Sequence, residues 1–275
     1  MLRRMCVSLA ALAIAAAPAL TLLATSGSAE AAPARAATHL SATHGSIRNG
    51  GVNVRYIQPG SKPLSRRHGG TLHSTSTNWS GYAATGSAYT TVSATWVQPA
   101  GTCGSATQYS SFWVGLDGYS SNSVEQTGTD TDCSGGTPRY YGWYEMYPKP
   151  SFSFGSSISA GDTISASVTF SGTNSYTLKL SDVTKGWTST TTKKLSGAPR
   201  SSAEVIIEAP SSGGGVLPLA DFGTVHISNS LVNGSAIGNF NPDQITMVNG
   251  SGQDKDTVSA LSGGTAFTAT WVRAS

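Results

Sequence analysis

The stretch Ser-Val-Glu-Gln-Thr-Gly-Thr-Asp, residues 123–130, sets Gln126 in the middle of a short strand-like run, with Glu125 beside it and Asp130 close by. A glutamine side chain does not titrate, so its NH2 is a hydrogen-bond donor at every pH and suits a developing oxyanion. Glutamates stand at 125, 145, 204 and 208, the last two in a second run, Ala-Glu-Val-Ile-Ile-Glu, residues 203–208. A glutamate of ordinary pKa, about 4.3, still takes a proton from water in mild acid, where an imidazole is already protonated. Together an amide and a carboxylate can activate a water and hold the tetrahedral intermediate of amide hydrolysis. One such donor is worth about 3 to 4 kcal/mol in the transition state.

The other common catalytic sets are poorly represented. His226 is the single histidine in residues 74–275, and the serines after it, Ser228 and Ser230, have no Gly-x-Ser-x-Gly elbow. A paired-aspartate site needs two Asp-Thr-Gly-like loops, and the nearest match, Leu-Asp-Gly at 116–118, occurs once. Neither Cys-x-x-Cys nor His-Glu-x-x-His spacing is present, so neither a metal nor a cofactor is expected. Two rival readings stay open on the residues alone. Glu145 and Glu208 could serve as the paired carboxylates of a glycosidase, or Trp143 and Tyr147 as the sugar-stacking platform of a carbohydrate-binding module.

The elements that must carry these residues read as strands. Short alternating runs rich in Val, Ile, Thr and aromatics recur between Gly, Pro and Asn, among them TTVSATWVQP, SSFWVGLDG, YYGWYEMYP, TISASVTFSG, YTLKLSDVTKG and AEVIIEAP. No amphipathic helix of normal length and no repeat of fixed period is found. The pattern predicts an all-β fold, two antiparallel sheets packed as a sandwich, with residues 181–186 as a hairpin connection. A period of two places Tyr141, Trp143, Glu145 and Tyr147 on one face of their strand, with Tyr144 and Met146 on the other. That face is too polar for a core and too aromatic for an ordinary surface, and it reads as a groove wall. Glu204, Ile206 and Glu208 share a face in the same way, whereas Gln126 sides with Val124 and Glu125 points opposite.

Residues 1–31 have Arg3 and Arg4, an apolar run to Leu23 and Ala29 and Ala31 at Ala-x-Ala spacing, the pattern of a secretory signal peptide. Residues 32–73 carry six basic residues and no acid, a charge of +6; residues 74–275 hold nine basic and 13 acidic residues, a charge of −4. A basic strip fits an acidic cleft through complementary fields, which predicts a propeptide that inhibits in cis and loosens as acid protonates the carboxylates it faces. Only 11% of the chain is charged while Ser and Thr abound, so the surface gains little charge in acid. Once Cys6 leaves with the signal, Cys103 and Cys133 are an even pair in a secreted domain, and the simplest reading is one disulfide. Asn78, Asn233 and Asn249 open Asn-x-Ser sequons.

Six motifs in order resemble the glutamic peptidases, or eqolisins: NWSGY (78–82), VSATWVQP (92–99), FWVGLDG (112–118), EQTGTD (125–130), WYEMYP (143–148) and AEVIIEAP (203–210). The resemblance spans essentially residues 74–275 and implies a concanavalin-like sandwich, with polypeptide substrates bound in a groove on one concave sheet. It matches the family's catalytic glutamine to Gln126 and its catalytic glutamate to Glu208, the glutamate acting as base on water and then as acid to the leaving amine. It places Trp113, Asp117, Trp143, Glu145 and Tyr147 along or under the groove and Asn78 and Trp79 on its opening strand. It also implies a precursor with a basic leader. Many fungal members follow the glutamate with Asp and an aromatic, whereas Ala209 and Pro210 follow Glu208 here. The expected protein is a secreted monomer with no nucleic-acid partner and no membrane attachment after signal removal.

Overall fold

Alternation of apolar and hydroxyl side chains along most strands forces a two-layer solution, because each sheet must cover one face. The computed structural model describes residues 71–275, together with three short strands before them. The expected signal peptide, 1–31, and the remainder of the basic segment, 32–73, lie outside the described residues. In chain order the strands are β1 (Ile47–Asn49), β2 (Val52–Val54), β3 (Arg66–His68), β4 (Thr71–Ser76), β5 (Trp79–Thr85), β6 (Thr91–Val97) and β7 (Gln108–Leu116). Next come β8 (Val124–Ser134), β9 (Thr137–Tyr147), β10 (Phe152–Ser157), β11 (Thr163–Gly172), β12 (Ser175–Asp182), β13 (Trp187–Lys194) and β14 (Ser202–Glu208). The last are β15 (Ser211–Ser212), β16 (Gly215–Val216), β17 (Thr224–Val232), β18 (Ser235–Ala236), β19 (Asp243–Met247), β20 (Asp256–Val258) and β21 (Phe267–Trp271), with one 3-10 turn at Ile237–Phe240.

The larger sheet runs β10-β9-β8-β7-β14-β5-β19-β4-β3 and the smaller β13-β12-β11-β6-β17-β21-β20. The expected antiparallel sandwich is what forms, apart from β19 and β4, which pair in parallel. The predicted hairpin joins β12 to β13, where Asp182 Oδ1 accepts from Lys185 N at 2.8 Å. The sequence runs passed over β13 itself, whose Thr and Lys residues give it little apolar alternation.

The two inner faces meet in one core that includes Trp96, Phe112, Val114, Leu180, Val205 and Ile207. A second apolar cluster lies on the outer face of the larger sheet: Trp79, Trp113, Trp143, Ile206, Val124 and Ile245. β14 is therefore buried on both faces, its seven residues all inaccessible. Val205 and Ile207 point to the core, and Glu204, Ile206 and Glu208 point outward. By contrast, β11 buries Ile164, Ala166 and Val168 and turns Ser165, Ser167 and Thr169 to the outside.

Two glycines make the packing of the central strands possible. Gly81 has φ 122°, and a Cβ there would sit 2.3 Å from the Val205 carbonyl oxygen. A Cβ on Gly128 would meet the Phe112 carbonyl oxygen at 2.1 Å and Trp113 Cβ at 2.6 Å. Neither approach tolerates a side chain.

Cys103 and Cys133 are bonded, 30 residues apart, and tie the loop after β6 to the end of β8. On the loop-entropy relation, closing that span is worth about 3 to 4 kcal/mol. The double substitution Cys103→Ser with Cys133→Ser is expected to lower the unfolding free energy by that amount in urea titrations at fixed pH, with the far-ultraviolet β signature retained. Unchanged stability would contradict this.

Candidate active site

Strand register alone assembles the outer face into three rows. Across β5, β14, β7, β8 and β9 the first row is Trp79, Glu208, Ser111, Asp130 and Tyr141. The second is Gly81, Ile206, Trp113, Gly128 and Trp143, and the third is Ala83, Glu204, Gly115, Gln126 and Glu145. Gln126 and Glu208 thus share one face of one sheet, separated by β7 and by the middle row.

The Trp113 indole spans that middle ground. Its Nε1 donates to Glu208 Oε2 at 2.9 Å. Its opposite edge lies over Gly115, where a Cβ would meet Trp113 Cζ3 at 2.8 Å and Gln126 Cβ at 3.2 Å. Gly115 is small so that the ring can lean from the glutamate row to the glutamine row. Trp79 braces it edge-on, with ring centroids 4.9 Å apart and an interplanar angle of 75°.

Glu208 and Gln126 each have a further hydrogen-bond partner. Asn78 Nδ2 donates to Glu208 Oε1 at 3.2 Å, and Asn78 Oδ1 accepts from Ser76 Oγ. Gln126 Nε2 donates to Glu145 Oε2 at 2.6 Å, which fixes the sense of the amide. Gln126 Oε1 is buried without a hydrogen bond among the described residues. Glu145 also lies near enough to Glu208 for its charge to raise the proton affinity of that carboxyl.

Of the predicted site residues, Asn78, Trp79, Trp113, Trp143, Glu145 and Tyr147 all fall on or beside this face. Trp143 Nε1 donates to Asp130 Oδ1 at 2.6 Å, and Tyr147 packs on the outer cluster. Asp117 stands apart, at the end of β7. Its oxygens accept from Arg200 N and Ser201 N, both at 2.8 Å, and so pin the loop before β14. His226 is exposed on β17, in the other sheet.

Asp130 was not singled out from the sequence, although period two would have found it, four residues beyond Gln126 on the same face. Tyr141 OH lies 2.6 Å from Asp130 Oδ2 and 2.8 Å from Asp132 Oδ2. A phenol has one proton, so it donates to one of these carboxyls at a time. Burial lifts Asp130 to about 6, against the pull of hydrogen bonds from Tyr141, Ser111 and Trp143.

Comparison with known proteins now decides what such a face belongs to. The sequence profile of the Peptidase A4 family matches residues 77–271. The chain belongs to that family. It is 31% identical to aspergillopepsin-2 of Aspergillus niger over 204 residues, covering 65% of this chain and 72% of the relative. It is 38% identical to scytalidopepsin B of Scytalidium lignicola over 136 residues, 48% of this chain and 51% of that one. Its fold is similar to the crystal structure of scytalido-glutamic peptidase with a transition-state analogue inhibitor, at TM-score 0.63 and 30% identity, covering 71% of this chain and 98% of the other. The Peptidase A4 member described here is accordingly a glutamic-type endopeptidase, a hydrolase of peptide bonds. Family membership favours the peptide reading of the aromatic face over the carbohydrate readings.

In this family member the site carboxyls are held in a dry environment. Full burial raises Glu208 well above the usual carboxylate range; Glu145 adds to the shift, while hydrogen bonds from Trp113 and Asn78 oppose it. Behind Gln126, on the inner side, burial and the nearby Asp117 charge push Glu125 up to about 9. Glu204 is raised well above its ordinary value, chiefly by burial. No group of three or more His, Cys, Asp and Glu suited to a metal ion occurs among the described residues.

These shifts dictate how stability follows pH. Glu125 has a folded pKa, about 9, above its ordinary 4.5. Below 4.5 folded and unfolded chains both hold the proton, so nothing is lost; between 4.5 and 9 only the unfolded chain releases it, and stability falls as pH rises. Each such group contributes about 1.4 kcal/mol per pH unit over that window. Thermal and urea unfolding at pH 4, 5.5 and 7 are expected to show declining stability, and Glu125→Gln should make the decline shallower by about that slope. Stability that rises from pH 4 to 7 would contradict the assignment.

Proposed function

We propose that this endopeptidase works in acid through Gln126 and Glu208. What most supports the pair is its placement on one sheet face with the Trp113 indole bridging the two rows. A water between them has the partners it needs. Glu208 as carboxylate takes one proton from the water, Gln126 Oε1 accepts the other hydrogen, and the water oxygen attacks the scissile carbonyl carbon. The Nε2 hydrogen of Gln126 not given to Glu145 donates to the oxyanion that forms. Glu208 then passes its proton to the amide nitrogen as the C–N bond breaks, leaving an amine and a new carboxyl group.

Glu208 must be ionised to begin this cycle, and in the buried arrangement it holds its proton. Burial is the largest cause of that shift. Opening the face to substrate and water removes that cause, and the donors Trp113 and Asn78 then favour the carboxylate. The buried site therefore reads as a resting, covered form.

The cover is proposed to be the basic leader, residues 32–73, acting as an intramolecular inhibitor. Its strand β2 lies against β15, three residues beyond Glu208, and β3 adds to the larger sheet by pairing with β4. Six positive charges over an acidic domain supply the attraction, and acid weakens it by protonating the carboxyls. Secretion as a monomer is proposed on the signal-peptide pattern, and the Cys103–Cys133 bond suits an oxidising compartment.

The direct test is digestion of a denatured protein between about pH 2 and 5, with the cut sites mapped by mass spectrometry. The chain with native Gln126 and Glu208 should cleave. Gln126→Ala should lose about 100- to 1000-fold in kcat, Glu208→Gln should fall to background, and both should remain folded with the far-ultraviolet β signature retained. Full activity in either variant would exclude the pair. Separately, neutral-pH precursor should stay uncleaved and convert on acidification; a precursor that stays intact and inactive down to about pH 3 would exclude acid release.

A further inference from the structure

Residues 117–123 join β7 to β8, the strands of Trp113 and Gln126, yet they reach beyond both. Asp117 and Gly118 have φ 69° and 107°, left-handed values that turn the chain back over the sheet. Asp117 fixes the base: its N donates to Ser202 O, and its side chain accepts from Arg200 N and Ser201 N. Gly118 then lies on Trp79, where a Cβ would meet Cη2 of that ring at 3.0 Å. Ser121 Oγ accepts from Gly118 N at 2.9 Å and donates to Ser123 O at 3.1 Å, which folds the loop on itself.

The tip is tied to a distant strand. Tyr119 OH donates to Asp243 Oδ2 at 2.7 Å, and β19, which carries Asp243, follows β7, β14 and β5 in the order of the larger sheet. Register sets Asp243 opposite Ala83, so it extends the third row, the row of Ala83, Glu204, Gly115, Gln126 and Glu145, at its far end. The Tyr119 ring packs on the outer apolar cluster, and its backbone amide lies against the Glu204 carboxyl. The loop is therefore a strap over the β14, β5 and β19 part of the row that holds Gln126. Glu204, Ala83 and Asp243 beneath it are buried.

The tie holds in acid. Burial and the bond to Asp243 push the Tyr119 phenol up to about 12, so it remains a donor, and a carboxyl oxygen accepts whether or not the group is ionised. The strap belongs to the segment after residue 73, so it is not lost with the basic leader. From β14 to β19 is two strand steps, about 10 Å, room for about three extended residues. A peptide that follows the third row past Gln126 toward β19 runs into Tyr119.

We propose that the Tyr119 strap ends the peptide groove on the β19 side, so that Tyr119 is a specificity-determining residue that limits how far a substrate extends on one side of the scissile bond. This rests on the peptide reading of the outer face given above and adds an asymmetry that the reading does not require.

Cleavage of a peptide ladder tests it. Acetylated, amide-capped peptides built around one cleaved sequence, and lengthened one residue at a time on the amino or the carboxyl side, are digested in acid by the acid-treated full chain, and kcat/KM is read for each. The wild type should go on gaining with length on one side after the gain has stopped on the other, and the side that stops shows which way the peptide lies. Tyr119→Ala should restore the gain on the stopped side, about tenfold over about three further residues, and leave the other side as it was. Tyr119→Phe, which keeps the ring and loses the tie, should fall between. Ratios are taken within each protein, so a general loss of activity cancels. Equal dependence on length on both sides of the scissile bond in the wild type, or a Tyr119→Ala profile identical to the wild type, would overturn the proposal. The wild-type comparison stands even if Tyr119→Ala does not fold. Absence of cleavage by the wild type would sink the peptide reading and this proposal together, whereas cleavage with symmetrical length dependence would sink this one alone.

Discussion

The site depends on one side chain that reaches from the row of Glu208 toward the row of Gln126. Trp113 holds Glu208 through its Nε1 and rests its far edge on Gly115, against the base of Gln126. That reach requires a glycine at 115 to make room and another at 128 to let β8 approach β7. It also requires Trp79 to stop the ring from rotating. Sheet register supplies the rows, and the indole joins them. Remove the ring and register still keeps the amide and the carboxyl on the same face, but Glu208 loses its Nε1 donor.

A second constraint follows from doing this on a buried face. Carboxyls without counter-cations in a dry environment keep their protons, and Glu125, Glu204 and Glu208 all shift in that direction. In an acid medium this costs nothing, because the same groups would be largely protonated in the unfolded chain as well. At neutrality the balance turns against the fold. The hydroxyl-covered strands β11 to β13 gain little charge in either condition. Acid tolerance thus follows from buried carboxyls that already hold their protons in acid and from a surface covered largely by hydroxyls.

Much of this was legible in the sequence. The two-residue period of Tyr-Tyr-Gly-Trp-Tyr-Glu-Met-Tyr-Pro placed Trp143 and Glu145 on the face they occupy, and the alternation in residues 203–208 placed Glu208 opposite Val205 and Ile207. Those are local properties, readable wherever a strand has one apolar side. The disulfide was accessible by counting. What could not be read is cross-strand: that Glu145 is the neighbour of Gln126, that Trp113 turns toward Glu208, and that Asp117 is spent on the loop at Arg200 and Ser201. Register between strands distant in the chain decides these, and a single sequence does not encode it locally.

The central claim is that one water, and later one tetrahedral carbon, is shared by Gln126 and Glu208. A crystal structure of the acid-activated protein with a peptide whose scissile bond is replaced by a tetrahedral phosphinate measures this directly. The account predicts one phosphinate oxygen within about 3.2 Å of Gln126 Nε2 and the other within about 3.2 Å of a Glu208 carboxylate oxygen, with the Trp113 indole still bonded to Glu208. A phosphinate bound in the groove but beyond hydrogen-bond reach of either side chain would contradict it.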